Sequence, residues 1–220
     1  MNAIDRTKYM DASEVRRLCT VAEAHCLVDL KAGRLAGVLA WAVVDTALQT
    51  GLRVSEIARM DVGDLDARRR ALRVRRSKKR ARELRSETLP FSKGLAEHLA
   101  QFIEWKSLVG QSVKPDAPMF VGKRGRLTES GLQRIWHHAR ERAGLPAELS
   151  IHSARHTLAV HLLRKTGNLR MVQKQLGHSR PEVTANLYAD VSFEDMQAGL
   201  DGVYDQPQGD DKRKGGQRDR

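Results

Sequence analysis

Apolar residues recur at helical spacing along most of the chain, and the first such run opens at Asp11. Asp11 and Glu14 have the spacing of a capping box, with an acid in place of the usual Ser or Thr. Val15, Leu18, Val21, Ala22, Leu27 and Leu30 follow near a 3.6-residue period. They predict a helix with one buried face, ended by Gly33. Residues 35–49 are apolar nearly all round, which predicts a buried second helix stopped by Gly51. A short helix is expected over 55–60, with Ser55 as its N-cap. Residues 71–76 and 83–91 predict a β-hairpin around a turn at 77–82. Its alternation is poor, because arginine stands where valine would normally fall. Ser92 is expected to cap a helix that runs to about Leu108. Residues 110–118 read as a loop and 119–121 as a short strand, and Thr128 or Ser130 starts a helix running to Gly144. Further helices are expected at 152–165, 170–176, 181–188 and 193–200. The pattern is α+β: mostly helical, with a small antiparallel sheet. Residues 206–220 hold no apolar side chain, which predicts a disordered basic tail after one domain over 1–205.

Charge changes this picture. The chain of 220 residues carries a formal net charge of +12. Residues 68–85 hold eleven Lys and Arg against one acid, Glu83, so one segment nearly equals the whole excess. A solvated face mixes its signs, whereas a one-sided block suits a polyanion. Arg73, Arg75, Arg76, Lys79, Arg80 and Arg82 are therefore candidate DNA-binding residues. Nothing in residues 1–11 resembles a signal peptide. The longest apolar run, 35–44, is short of the ~20 residues a bilayer requires. The chain is expected to be soluble and cytoplasmic, and nucleoid-associated when bound to DNA. Cys19 and Cys26 are too few for a disulfide scaffold or a zinc finger. Their spacing on one helix predicts small core residues.

Candidate chemistry gathers in three clusters: Thr50-Gly51-Leu52-Arg53-Val54-Ser55-Glu56, His152-Ser153-Ala154-Arg155-His156-Thr157, and Leu176-Gly177-His178 with Tyr188 ten residues on. Each cluster taken alone also has a structural explanation. Arg53 could pair with Glu56, the histidines could be core or surface residues, and Tyr188 could close a helix. Three other enzyme classes fail on particular positions. His152 and His156 have zinc-ligand spacing, but Ser153 replaces the glutamate a zinc protease needs as its base. Gly122-Lys123 lacks the upstream Gly and the Ser or Thr of a phosphate-binding P-loop. No G-x-S-x-G elbow is present for a serine hydrolase. Together, however, the clusters suit attack on a phosphodiester. Extra negative charge on the non-bridging oxygens is met by two arginine forks and a histidine. A tyrosine nucleophile, with an ordinary pKa of about 10, needs a base and cationic surroundings. The leaving oxygen needs a proton, which a lysine with lowered pKa can give. Such a set needs neither metal nor nucleotide cofactor.

The three clusters resemble the conserved boxes of the tyrosine recombinases, also called phage integrases. The family pattern is T-G-x-R-x-S-E, then H-x-x-R-H, then L-G-H and a tyrosine ten residues beyond the histidine. The resemblance spans about residues 9–200. It implies a mostly helical catalytic domain with a small antiparallel sheet. It also implies that Arg53 and Arg155 bind the scissile phosphate, that His152 does base or positioning work, and that His178 contacts the phosphate. Tyr188 would form a 3′-phosphotyrosyl bond and free a 5′-hydroxyl, with Glu56 supporting the site from behind. The family's general-acid lysine lies in the hairpin turn. Arg75-Arg76-Ser77-Lys78 resembles the common R-G-S-K form, which points to Lys78, with Lys79 as runner-up because Arg76 replaces the usual glycine.

Tyr9-Met10-Asp11 resembles the usual opening of the catalytic domain, and eight residues precede it. The helical core-binding domain of the family is therefore expected to be missing, which would weaken DNA binding and its salt dependence. The resemblance implies double-stranded DNA as partner, a homotetramer on DNA and accessory DNA-bending proteins. Phe193, Met196 and Leu200 are spaced for one apolar face that docks on a neighbouring protomer or on the same chain. Two other functions remain open: a type IB topoisomerase-like nicking-closing enzyme, and a non-catalytic DNA-binding regulator. Lys78→Ala is expected to slow cleavage of an ordinary substrate strongly. A substrate with a 5′-bridging sulfur, which needs no general acid, should be far less affected, and equal loss on both would remove Lys78 from that role.

Overall fold

The computed structural model describes residues 8–78 and 81–177. The capping box forms as its spacing predicts: the Asp11 carboxylate accepts from the Ser13 and Glu14 amides, and Glu14 accepts from the Asp11 amide. Helix α1 runs Ala12–Lys31 behind it. Its first half buries Leu18 and Ala22 as expected. Its second half does not follow the apolar pattern, because Leu27 and Leu30 are 54% and 44% exposed while Cys26 and Asp29 turn inward. The reason lies in the next helix. Helix α2, Ala36–Thr50, has no side-chain cap of its own at Leu35. Asp29 supplies one from α1, accepting from the Gly37 amide at 2.7 Å and from Arg34 Nε at 2.8 Å. Cys26 is buried and Cys19 half-buried, and both thiols are free. Burial, with help from the Asp45 and Glu23 carboxylates, pushes the Cys19 thiol up to about 11.

Helix α2 is the core element. Residues Ala42 to Leu48 are all buried, with α1 and the helices over Lys93–Leu108, Glu129–Arg142 and Ile151–Thr166 packed around them. Gly51 ends it at φ +64°. Helix α3 occupies Val54–Ala58, starting one residue earlier than the sequence pattern indicates. Arg53, not Ser55, is its N-cap residue, and the Glu56 carboxylate accepts from the Arg53 amide at 2.8 Å. A 3-10 turn at Val62–Asp64 leads to β1, Leu65–Asp66, which the sequence did not signal.

Strands β2, Ala71–Lys78, and β3, Ala81–Pro90, form the hairpin, longer than expected and with a shorter turn. The sheet order is β1-β2-β3, all antiparallel. Leu72 pairs with Leu89 and Val74 with Glu87, and the register shifts between Ser77 and Lys78. Helix α4, Lys93–Leu108, is capped by the Ser92 hydroxyl, which accepts from the Leu95 amide. The expected strand at 119–121 is displaced to a two-residue ribbon, β4 (Val121–Gly122) with β5 (Gly125–Arg126). Met119 instead donates its amide to the Met60 carbonyl. Helix α5, Glu129–Arg142, starts behind Thr128, and its buried Trp136 donates to the Leu149 carbonyl. Helices α6, Ile151–Thr166, and α7, Leu169–Leu176, share a small apolar cluster of Ala159, Val172 and Leu176. Among the described residues no helix is long and apolar enough to cross a membrane. The helices expected at 181–188 and 193–200, the face of Phe193, Met196 and Leu200, and the tail at 206–220 lie outside the described residues.

Gly51 is constrained twice. Its φ is left-handed, and an added Cβ would lie 2.7 Å from Leu176 Cδ2 and 2.9 Å from Leu158 Cδ2. Gly33 has a similar φ, +65°, but open space around it. Gly33→Ala should therefore cost only the left-handed strain of about 1–2 kcal/mol. Gly51→Ala should cost that plus about 1–3 kcal/mol of overpacking. Urea denaturation of the two variants measures the difference, and equal losses would remove the steric part.

Candidate active site

Two of the three motif clusters meet where α2 ends and α6 begins, and the first residues of the third join them. Arg155 stands on the second turn of α6 and is 7% exposed. Its Nη1 donates to the Gly51 carbonyl at 2.7 Å, and its Nη2 donates to the Leu176 carbonyl at 2.6 Å. One guanidinium thus ties the turn after α2 to the last turn of α7. Burial, with Arg53 and Arg76 nearby and Glu56 opposing them, brings Arg155 down to about 10. It stays a cation at neutral pH, and its charge is poorly compensated. An anionic oxygen at this place would relieve that cost.

Arg53 follows the glycine turn. Its Nη1 pairs with Glu56 Oε1 at 3.0 Å, while its side chain remains 45% exposed. Glu56 is 5% exposed and holds Arg53 by both backbone amide and guanidinium. The T-G-x-R-x-S-E spacing follows from this: glycine turns the chain, and the acid three residues on fixes the arginine's direction. His152 lies on the first turn of α6, exposed, one helical turn before Arg155. His156 is lowered by partial desolvation, by Arg155, by His152 and by Lys8, so it favours the neutral ring.

The hairpin arginines divide by strand parity. Leu72, Val74 and Arg76 turn inward, and Arg73 and Arg75 turn to the other face. Arg73 Nε donates to Asp64 Oδ1 at 2.8 Å. Arg75 bonds Asp61 Oδ2 at 2.5 Å, the Arg59 carbonyl at 3.1 Å, and Asp64. Arg126 binds the other Asp61 oxygen at 2.5 Å. Burial alone would raise the Asp61 carboxyl, but the Arg126 and Arg75 hydrogen bonds bring it below its ordinary value. Arg73 and Arg75 therefore brace β2 against the turn before β1. Arg76, read from sequence with the outward basic surface, is instead 8% exposed, and Arg155 feels its charge. The sequence also gave no sign of Gln175, whose Nε2 reaches the Thr50 carbonyl at 3.3 Å and the Pro90 carbonyl at 3.4 Å. Parity with Leu72 and Val74 was the signal that could have found Arg76.

Lys78 ends β2 and pairs with Ala81 across the hairpin tip. The side chains of Lys78 and Arg82, and all of Lys79, Arg80, His178 and Tyr188, lie outside the described residues. The structure thus brings together Arg53, Glu56, Arg76 and Arg155, with His152 at the edge. It is a concentrated cationic centre held by one buried carboxylate, suited to a phosphate. Among the described residues, one group of metal-ligand types faces a common point: His137, His138 and Glu141 on α5. All three are exposed, and the Arg140 guanidinium lies 3.1 Å from His137 Nδ1.

Comparison with known proteins bears on the family and the fold. The model of the phage integrase family matches residues 8–195, and the chain belongs to that family. A tyrosine recombinase XerC of Corynebacterium efficiens is 38% identical over 152 residues, covering 69% of this chain and 46% of that protein. A tyrosine recombinase XerC of Actinobacillus pleuropneumoniae is 29% identical over 208 residues, 94% of this chain and 61% of its own length. The chain thus spans about half the length of the curated relatives it matches. Among solved structures, XerA recombinase superposes with a TM-score of 0.68 at 22% identity, over 90% of this chain and 66% of that one. XerH site-specific recombinase bound to difH substrate gives 0.67 at 16% identity, over 90% and 55%. At these identities the structures establish the shared fold.

Arg155→Lys keeps the charge but cannot reach both carbonyls with a planar fork. With at least one buried carbonyl orphaned, it should lose about 1–3 kcal/mol of stability, and Arg155→Met at least as much. Urea denaturation checks both. An Arg155→Lys variant as stable as the parent would show that the bridge between Gly51 and Leu176 is dispensable.

Proposed function

We propose that this chain carries out site-specific cleavage and rejoining of double-stranded DNA through a 3′-phosphotyrosyl intermediate. The observation that carries the reading is the buried guanidinium of Arg155 beside the Glu56-held guanidinium of Arg53, at the meeting point of the family's motifs. Such paired forks suit the non-bridging oxygens of a scissile phosphodiester, and removing one such donor typically costs about 10²–10³ in rate. The named activity of the XerC relatives supports the same reading.

In this mechanism Tyr188 Oη attacks phosphorus, and the bond from phosphorus to the 5′ oxygen breaks. His152 takes or directs the tyrosine proton, and Lys78 gives a proton to the leaving 5′ oxygen. Arg53, Arg155 and His178 carry the charge that develops on the phosphoryl oxygens. The phosphotyrosine conserves the bond energy, so a 5′-hydroxyl from a second duplex reseals the strand with no nucleotide or metal. Lys79, Arg80 and Arg82, at the hairpin tip, contact flanking phosphates. Arg73 and Arg75 contribute there through the faces their carboxylate partners leave open. The protein acts in the cytoplasm as a DNA-bound homotetramer, with accessory bending proteins where the site requires them.

The test uses nicked duplexes randomised on both sides of the nick, with covalent adducts recovered as SDS-resistant complexes and sequenced. Wild type should yield an adduct on a defined sequence, and Tyr188→Phe none. An adduct formed by Tyr188→Phe would overturn the nucleophile assignment. The selected duplex then separates a recombinase, which joins strands of two duplexes, from a nicking-closing enzyme, which reseals only its own.

A further inference from the structure

Arg76 departs from the local motif and is buried in a way the basic segment around it does not suggest. The R-G-S-K form to which residues 75–78 are similar has glycine where Arg76 stands. A side chain at this inward position of β2 has to enter the site, and it does. Arg76 Nε lies 3.5 Å from Glu56 Oε1, on the carboxylate that also holds Arg53. Its Nη1 lies 2.9 Å from Glu87 Oε2, a diagonal neighbour on β3. Its Nη2 donates to the Gln175 carbonyl at 3.3 Å, in the last turn of α7. Despite these ion pairs, neither Nε nor Nη1 has a partner in hydrogen-bonding direction among the described residues. The guanidinium also fills the space beside Gly177: a Cβ added there would lie 1.0 Å from Arg76 Nη1. Gly177, at φ +63°, therefore has two reasons to be glycine. The residue after it is His178.

A buried arginine with two nitrogens that find no hydrogen-bond partner among the described residues is costly unless its charge serves neighbouring groups. Here it touches the support of one proposed phosphate ligand, Arg53 through Glu56, and the turn that leads to another, His178. Resting on the recombinase reading above, we propose that Arg76 is a positioning residue that locks the hairpin, the Arg53–Glu56 pair and the end of α7 into one active geometry. It acts without itself binding the phosphate. It is enclosed by Glu56, Glu87, Gln175 and Gly177, whereas Arg53 remains open to a ligand. Its effect is on the phosphate-holding arm of the site rather than on the general acid.

Two measurements on the whole chain test this, with Arg76→Met and Arg76→Lys. The first is amide hydrogen exchange without DNA, which does not depend on activity. Arg76→Met should speed exchange both at 53–58 and at 173–177, while α1 and α5 keep wild-type protection. Acceleration confined to β2 and β3, or none, would overturn the coupling whatever the protein's function proves to be. The second uses the nicked duplex selected by wild type. Arg76→Met should lower single-turnover cleavage by about 100-fold, the scale of a misplaced reacting group. DNA affinity should change by less than about threefold, because no phosphate contact is lost. The loss should be equal on a 5′-bridging-sulfur substrate, unlike that of Lys78→Ala. Arg76→Lys should recover only a fraction of the rate, since one ammonium cannot span three partners. Affinity falling in parallel with rate would make Arg76 a phosphate contact, and a loss confined to the ordinary substrate would make it a support of Lys78; either overturns the proposal. If wild type forms no adduct with any duplex while the exchange result holds, the recombinase reading fails and the structural coupling stands.

Discussion

The Arg155 guanidinium joins the carbonyl of Gly51 to the carbonyl of Leu176, and the rest of the site is arranged around that bridge. Both carbonyls end helices, where backbone acceptors lack intrahelical partners and concentrate negative dipole. The two helix C-termini therefore offset part of the cost of burying this cation. In return it fixes the turn after α2 against the end of α7. Gly51 makes the approach possible, because any side chain there would meet Leu158 and Leu176. The small cluster of Ala159, Val172 and Leu176 holds α6 and α7 together at the same place. Packing and electrostatics converge here on one set of atoms.

Around this bridge the charges among the described residues are few, mostly buried and unequal in number. Arg53, Arg76 and Arg155 share Glu56 as their buried acid, with Glu87 at the rim. Complete pairing would have made a stable and inert salt-bridge cluster. Among the described residues cations are in excess, and with Arg76 and Arg155 withheld from water this costs stability and leaves a field directed at an anion. The opposite face of β2 follows the other rule. There Asp61 and Asp64 meet Arg73, Arg75 and Arg126, and the result is a brace. A single strand thus presents one arginine to the site and two to a scaffold, purely by alternation.

The helices of the described region were legible in the sequence because each carries its own local signal. Examples are the box at Asp11 and Glu14, the Ser92 and Thr128 caps, and the left-handed glycine after α2. The motif spacings were legible for the same reason, since Arg53 and Glu56 meet within one turn. Local pattern failed where a distant partner changed the balance. Leu27 and Leu30 face outward because Asp29 is drawn in to cap α2, and Arg53 displaces Ser55 as cap residue because Glu56 reaches back to its amide.

What the sequence determined by itself was the inventory: a mostly helical chain, a basic hairpin, and motif residues whose chemistry fits a phosphodiester. Those follow from periodicity, charge and residue type, which are properties of neighbours along the chain. Only the tertiary structure decided which arginines belong to the site. Arg73, Arg75 and Arg76 look alike in a basic run, yet two are braced by Asp61 and Asp64 and the third is enclosed between Glu56, Glu87 and Gln175. The distinction depends on burial and on partners up to 99 residues away in the chain. A charged side chain takes its role from the dielectric and the counter-charges around it, and those are set when the chain folds.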